Sequence, residues 1–271
     1  MSFKVCYNSY DMDGPLDTFE AFRRIVAKLR APDGCPWDRK QTRETLKPYL
    51  IEEAYEVIEA LERGDTEKLC EELGDLLLII GLEVQIAEER GEFRMSDVLQ
   101  RINEKLIRRH PHVFGDLKVS GVNEVINNWE EIKRSEGKSE KSLLDGIPRG
   151  IPALAYSQIV QQRAARVGFD WKEVDGVLEK VGEELEEIRK ARTHEEKVHE
   201  FGDLLFALAN VARWMGIDSE GALRQANERF FHRFGHMERR SRERGINLND
   251  LSIEELEKLW EEAKGIEGKE T

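Results

Sequence analysis

Apolar residues return every three or four positions along nearly the whole chain, as in Phe19, Phe22, Ile25, Val26 and Leu29, while strand-like alternation bounded by turn residues is scarce. The pattern predicts an all-α protein. Helices are expected over 17–30, 43–63, 66–90, 95–109 and 121–135, then over 153–166, 173–192, 194–215, 218–243 and 252–264. Residues 136–152 (EGKSEKSLLDGIPRGIP) hold two prolines and three glycines, which makes them the predicted linker. With the boundary near 145 the chain divides into domains 17–145 and 146–271, each long enough to bury a core.

Acids interrupt the apolar stripes in a pattern that occurs twice. Residues 52–56 read EEAYE and 71–77 read EELGDLL; residues 183–187 read EELEE and 199–205 read HEFGDLL. At about 100° per residue, Glu184 falls inside the stripe of Val177, Leu178, Val181, Leu185 and Ile188, with Glu187 on its margin and Glu183 and Glu186 turned away. In the first half Leu50, Ile51, Ala54, Val57, Ile58 and Leu61 set the stripe, and Glu53 lies just off its edge with Glu56 beyond. Asp75 shares a stripe with Ile79, Leu82 and Ile86 in a helix expected to be buried on every side, and Asp203 shares one with Phe206, Ala207 and Asn210. A carboxylate in such a place costs several kcal/mol unless it is paired, hydrogen-bonded or bound to a metal. Gly74 and Gly202 precede the aspartates where two helices are expected to approach closely.

If each pair of acidic helices packs side by side, four carboxylates converge. Ligation by oxygen alone suits a hard cation, Mg²⁺ or Mn²⁺, that keeps waters for exchange with phosphate oxygens. A lone Glu-x-x-Glu reads as a solvated helix face, and ion pairs with Lys or Arg are the structural alternative for Asp75 and Asp203. Repetition of the whole set favours the metal.

Other segments repeat in step. NEKLIRR at 103–109 matches NERFFHR at 227–233, and WEEIK at 129–133 matches WEEAK at 260–264, so a whole domain is duplicated. Lys105 with Arg109, and Arg229 with Arg233, lie one turn apart and could grip successive phosphates; a solvated face paired with local acids is the alternative. Trp129 with Lys133, and Trp260 with Lys264, offer an indole for a base and an ammonium for a phosphate, or else a core anchor. The turns GCPWD (34–38) and GFDW (168–171) form a further matched pair expected near the site. In RRHPHVF (108–114), Pro111 stops a helix, and His110 and His112 lack the i, i+4 spacing of a zinc site.

Composition narrows the partners. With 55 acidic against 42 basic residues the net charge is −13, which argues against a surface that binds nucleic acid or an anionic membrane. Cys6, Cys35 and Cys70 form no Cys-x-x-Cys motif and cannot all pair, which points to a reducing, cytoplasmic setting. No apolar run reaches the ~20 residues of a membrane span. Many apolar faces on few helices per half predict a homodimer.

As an ordered set, GCPWD, EEAYE, EELGDLL, RRHPHVF, GFDW, EELEE, HEFGDLL, NERFFHR and WEEAK resemble the two-domain MazG family of nucleoside triphosphate pyrophosphohydrolases, from Asp17 to Lys264. The resemblance implies tandem all-α MazG-like domains, related to the dimeric dUTPases, that use Mg²⁺ to hydrolyse NTPs to NMP and pyrophosphate. It implies metal ligands Glu53, Glu56, Glu72 and Asp75 in the first half and Glu184, Glu187, Glu200 and Asp203 in the second, with Glu52 and Glu183 as nearby acids. Arg229, Arg233, Trp260, Lys264 and Lys180 would contact nucleotide. One departure is His199, where Glu71 stands in the first half and the family commonly has glutamate. The expected chemistry is attack of water, oriented by Glu53 or Glu184, at the α-phosphorus, with possible division of labour in which one half takes pyrophosphate. Two rivals remain: a di-iron bundle, for which only Glu196 and His199 have the needed spacing, and a non-catalytic nucleotide-sensing module.

Overall fold

The computed structural model describes residues 15–135 and 142–267. Among them every regular element is helical. The chain falls into two compact units, Met1–Lys138 and Ser139–Thr271.

In the first unit, α1 (Phe19–Arg30) is followed by the short α2 (Pro36–Lys40) and by the hairpin of α3 (Arg43–Arg63) and α4 (Thr66–Glu89). The hairpin turns on Gly64, whose φ of 66° is the left-handed conformation that glycine tolerates, and Asp65 then caps α4 by accepting from the Lys68 N–H at 2.9 Å. Thr18 and Thr42 cap α1 and α3 in the same way. The core joins Val26, Leu46, Ile79, Leu82 and Ile86, with Phe22, Tyr49 and Leu78 against it. Here α1 lies so close to α4 that a Cβ on Gly81 would stand 2.7 Å from the Phe22 ring. Helix α5 (Met95–Arg109) stops before Pro111, as expected, and His110 closes it by directing Nδ1 to the Leu106 carbonyl at 2.7 Å. Then follow one turn, α6 (Pro111–Phe114), and α7 (Val122–Ser135).

The second unit repeats the plan. Helix α8 (Ala153–Ala165) crosses the hairpin of α9 (Val174–Lys190) and α10 (His194–Trp214), and α11 (Ser219–Glu243) pairs with α12 (Ile253–Glu267) after a 3₁₀ turn at Leu248–Asp250. Where α1 meets α4 through apolar contact and the Arg30–Glu89 ion pair, α8 meets α10 with the help of amides. The Gln161 Nε2 donates to the Phe206 carbonyl at 2.8 Å, and Gln158 donates to the Ile217 carbonyl at 2.8 Å while accepting from the Ser219 N–H. Of the predicted linker, residues 136–141 lie outside the described residues. Residues 143 and 145 are held to α8, because Arg163 donates to the carbonyls of Leu143 and Asp145 at 3.0 and 2.7 Å.

The ten long helices match the periodicity to within two or three residues. The short α2, α6 and 3₁₀ turn escaped it because three to five residues complete too little of an apolar stripe to register.

Candidate active site

The acidic helices of each half do pack as hairpin partners. One carboxylate oxygen each from Glu53 and Glu56 on α3 and Glu72 on α4 lie within 4.8 Å of one another, and so do those of Glu184 and Glu187 on α9 and Glu200 on α10. An i, i+3 pair on one helix presents two acids on one face, and the facing helix supplies the third.

Burial is uneven inside each triad. Glu72 is 1% exposed and Glu184 3%. Their Oε2 atoms are buried without a hydrogen-bond partner, the kind of loss that an ion or an ordered donor normally repairs. The nearest cations come from the preceding turn. Lys68 forms an ion pair with Glu72 and stands 3.2 Å from Glu71; Lys180 stands 2.7 Å from Glu184 and 3.0 Å from Glu183.

Crowded acids resist full ionisation. Burial, then the charges of Asp75, Glu56 and Glu72, push the Glu53 carboxyl up. The close approach of Glu72 does the same to Glu56, and burial followed by Glu200 and Glu184 raises Glu187. Excess negative charge, oxygen donors alone and a buried oxygen lacking a partner in each half fit a hard divalent cation.

The aspartates correct the sequence reading. Asp75 is exposed and Asp203 about half-exposed, and neither belongs to its triad. Leu73 and Ile80 of the same helix are open too, so α4 is not buried on every side. Periodicity found the right face, but α1 packs on α4 from Leu78 to Ile86 and pairs Arg30 with Glu89, beyond the level of Asp75. The charge of Asp75 nevertheless reaches Glu53. Gly74 and Gly202 are likewise not close-approach points among the described residues, since an added Cβ would meet none of them within 4 Å; Gly81 under Phe22 and Gly176 under Trp171 hold that role. His199, in the position of Glu71, sets Nε2 3.4 Å from Asp203 Oδ2.

The basic and aromatic companions assemble partly. Arg109 lies over Trp129 at 5.1 Å and Arg233 over Trp260 at 5.5 Å, so in both halves the arginine and tryptophan form one cation–π unit. Phe230 joins the second unit, 5.3 Å from Trp260 and stacked with Phe234, an aromatic cluster that the sequence reading missed although the spacing of residues 230 and 234 signalled it. Lys105 lines a groove on α5 with Arg108 and Arg109; Arg229 and Arg233 line another with Phe231 and His232. Neither groove includes a glutamate of the triads. Lys133 is half-buried on α7, and Lys264 is paired with Glu261 at 2.6 Å.

The matched turns act as staples. Arg30 donates to the carbonyls of Asp38 and Gln41 after GCPWD, and Asp170 of GFDW accepts from Arg213 at 2.6 Å and Trp214 at 3.0 Å. Lys68, the cation beside Glu72, was also missed. Its signal was the i, i+4 spacing from Glu72, which Lys180 shares with Glu184.

Comparison with known proteins gives two different matches. Residues 41–114 match the MazG nucleotide pyrophosphohydrolase domain, and residues 156–230 match the phosphoribosyl-ATP pyrophosphohydrolase family. A Thermotoga maritima protein, described as nucleoside triphosphate pyrophosphohydrolase/pyrophosphatase MazG, is 48% identical over 248 residues, covering 91% of this chain and 96% of that one. The Escherichia coli K12 nucleoside triphosphate pyrophosphohydrolase is 44% identical over 248 residues, 89% and 94% of the two chains. Bacillus subtilis YabN, uncharacterised, is 48% identical over 254 residues, which is 92% of this chain and 52% of its own.

Proposed function

Because the chain belongs to the MazG family of nucleoside triphosphate pyrophosphohydrolases, we propose that it hydrolyses nucleoside triphosphates with Mg²⁺, giving NMP and pyrophosphate. The observation that carries the reading is the glutamate triad that forms in both halves, each with one nearly buried member. Glu53, Glu56 and Glu72, with Asp75 turning inward, would hold the metal of the first half; Glu184, Glu187, Glu200 and Asp203 would hold that of the second. Mn²⁺ offers the same preference for oxygen.

The bound metal supplies Lewis-acid neutralisation of phosphate oxygens and acidifies water. Glu53 or Glu184 would orient the attacking water and receive its proton as the oxygen attacks the α-phosphorus and pyrophosphate leaves. Burial and neighbouring acids raise Glu53, which suits a base that must hold a proton. Lys105 and Arg109, or Arg229 and Arg233, offset charge on the phosphates. Lys180 is placed beside the second triad for the same task. The base would lie against Trp129 or Trp260, with Lys133 or Lys264 reaching outward.

The halves match different families, which supports a division of labour between them. Exposed apolar residues along the acidic helices, among them Ile51, Leu73 and Ile80 and, in the second half, Val198, Phe201 and Leu205, support a homodimer that covers them. No helix among the described residues is long and apolar enough to cross a membrane. We place the protein in the cytoplasm.

Product analysis on a panel of NTPs with Mg²⁺ is the direct test. NMP with pyrophosphate is expected, and NDP with phosphate as the only product would exclude the proposed chemistry. Sedimentation at micromolar concentration should give a dimer; a monomer would refute the self-association.

A further inference from the structure

The structure places an ammonium where a metal is wanted, twice and by different routes. Lys68 reaches Glu72 from the same helix, α4, and Lys180 reaches Glu184 from α9. The position aligned with Lys68 in the second half is Glu196, and the one aligned with Lys180 in the first is Tyr49, so neither lysine is a relic of the duplication. Each nevertheless meets the most buried glutamate of its own triad. Both lysines are themselves half-exposed, with side chains 49% and 36% accessible, so they reach in from the rim and have water to return to. Each also touches a second, exposed acid, Glu71 or Glu183, one residue before the buried one.

We propose that Lys68 and Lys180 are tethered counter-ions of the metal-free sites, and that a divalent cation binds each triad by displacing the ammonium from the buried glutamate. The inference rests on the metal reading of the triads. The physical ground is that a buried, ionised carboxylate needs a neighbouring positive charge, and that Lys180, placed on Oε1 of Glu184, leaves Oε2 without a partner. With the lysine in place one Oε2 is still without a partner; a divalent ion supplies twice the charge and can engage the facing helix as well. The exposed acid then serves as the parking position, Glu71 for Lys68 and Glu183 for Lys180, so the lysine does not lose all pairing when it leaves. The lysine thereby keeps the carboxylates from repelling one another before loading, and its release leaves a cation at the rim of a loaded site.

The test is titration of the full-length protein with Mn²⁺ alone, following free ion by its electron paramagnetic resonance signal, without nucleotide. Lys68→Met and Lys180→Met should each tighten Mn²⁺ binding in one half by roughly tenfold, because the competitor is gone. Lys197→Met removes the same charge three residues from Glu200 without touching a buried glutamate, and should leave affinity within about twofold. Lys68→Arg and Lys180→Arg retain a competitor, so they should bind Mn²⁺ no tighter than the wild type and keep the proposal testable if a methionine variant fails to fold. Tightening shared equally by Lys197→Met, tightening in the arginine variants, or no change in the methionine variants would each overturn the exchange. A wild type that binds no Mn²⁺ would instead overturn the metal reading itself.

Discussion

The two halves build the same triad but bury opposite ends of it. In the first half the buried acid is Glu72, contributed by the second helix of the hairpin; in the second half it is Glu184, contributed by the first helix. The aligned partners, Glu200 and Glu53, are both partly exposed. The lysine follows the buried acid in each case, on α4 with Glu72 and on α9 with Glu184. Duplication has therefore preserved the set of carboxylates and not the way its charge is balanced. A cluster of like charges needs one internal cation somewhere, and either helix can provide it from the previous turn. The surroundings have diverged in the same manner, with apolar packing of Phe22 on Gly81 in one half and glutamine to backbone hydrogen bonds in the other.

The sharpest way to break this comparison is to disable the halves separately. The double variant Glu53→Gln with Glu184→Gln should lose NTP turnover by on the order of a thousandfold, while each single variant keeps the contribution of the other half. If one single variant already equals the double in a pyrophosphate-release assay, only that half turns over the substrate. Metal should act on both halves. Calorimetry with Mg²⁺ at about a hundred times its Kd is expected to add about 2.7 kcal/mol of stability per coupled site, reversed by a chelator. A chelator-insensitive melting curve would show that neither triad takes up the ion.

Packing differences give smaller effects. Gly81→Ala forces a Cβ to within 2.7 Å of Phe22 and should cost about 1–3 kcal/mol in urea unfolding. Gly176→Ala meets Trp171 at 2.6 Å, but that indole is 42% exposed and free to shift, so the loss should be less. Gly74→Ala and Gly202→Ala meet nothing among the described residues and should gain about 0.5–1 kcal/mol from helix propensity in a dilute, monomeric sample. A loss there that grows with protein concentration would place a second copy against those glycines.

The smallest expected effect concerns pH. Glu53 and Glu56 in the first half and Glu187 in the second are raised from the ordinary 4.5. A raised carboxyl holds its proton more firmly in the native state than in the unfolded chain. Its contribution is therefore favourable at low pH and is lost as pH climbs from about 4.5 through the raised value. Without metal, hydrogen exchange corrected for intrinsic rates should show α3 and α4 loosening over this range more than α9 and α10, and Mg²⁺ should remove the difference. Equal loosening would mean that the triads carry equal strain.

Much of this was legible in the residues themselves. Helical periodicity located every long helix, because a 3.6-residue repeat over three turns or more has no strand counterpart. Projection picked out Glu184 as an inward acid, and the repeated motifs named both triads. It failed at Asp75 and at Gly74 because a stripe describes direction around one helix and carries no information on how far along that helix its neighbour extends. Short helices such as Pro111–Phe114 left too little periodic signal.

The sequence by itself determined the helices, the duplication and the identity of six converging glutamates, since these follow from spacing along one axis. Only the tertiary structure decided which glutamate of each triad would be buried and which lysine would answer it. Burial depends on where neighbouring helices end and cross, and an ion pair forms wherever that crossing leaves a charge without water.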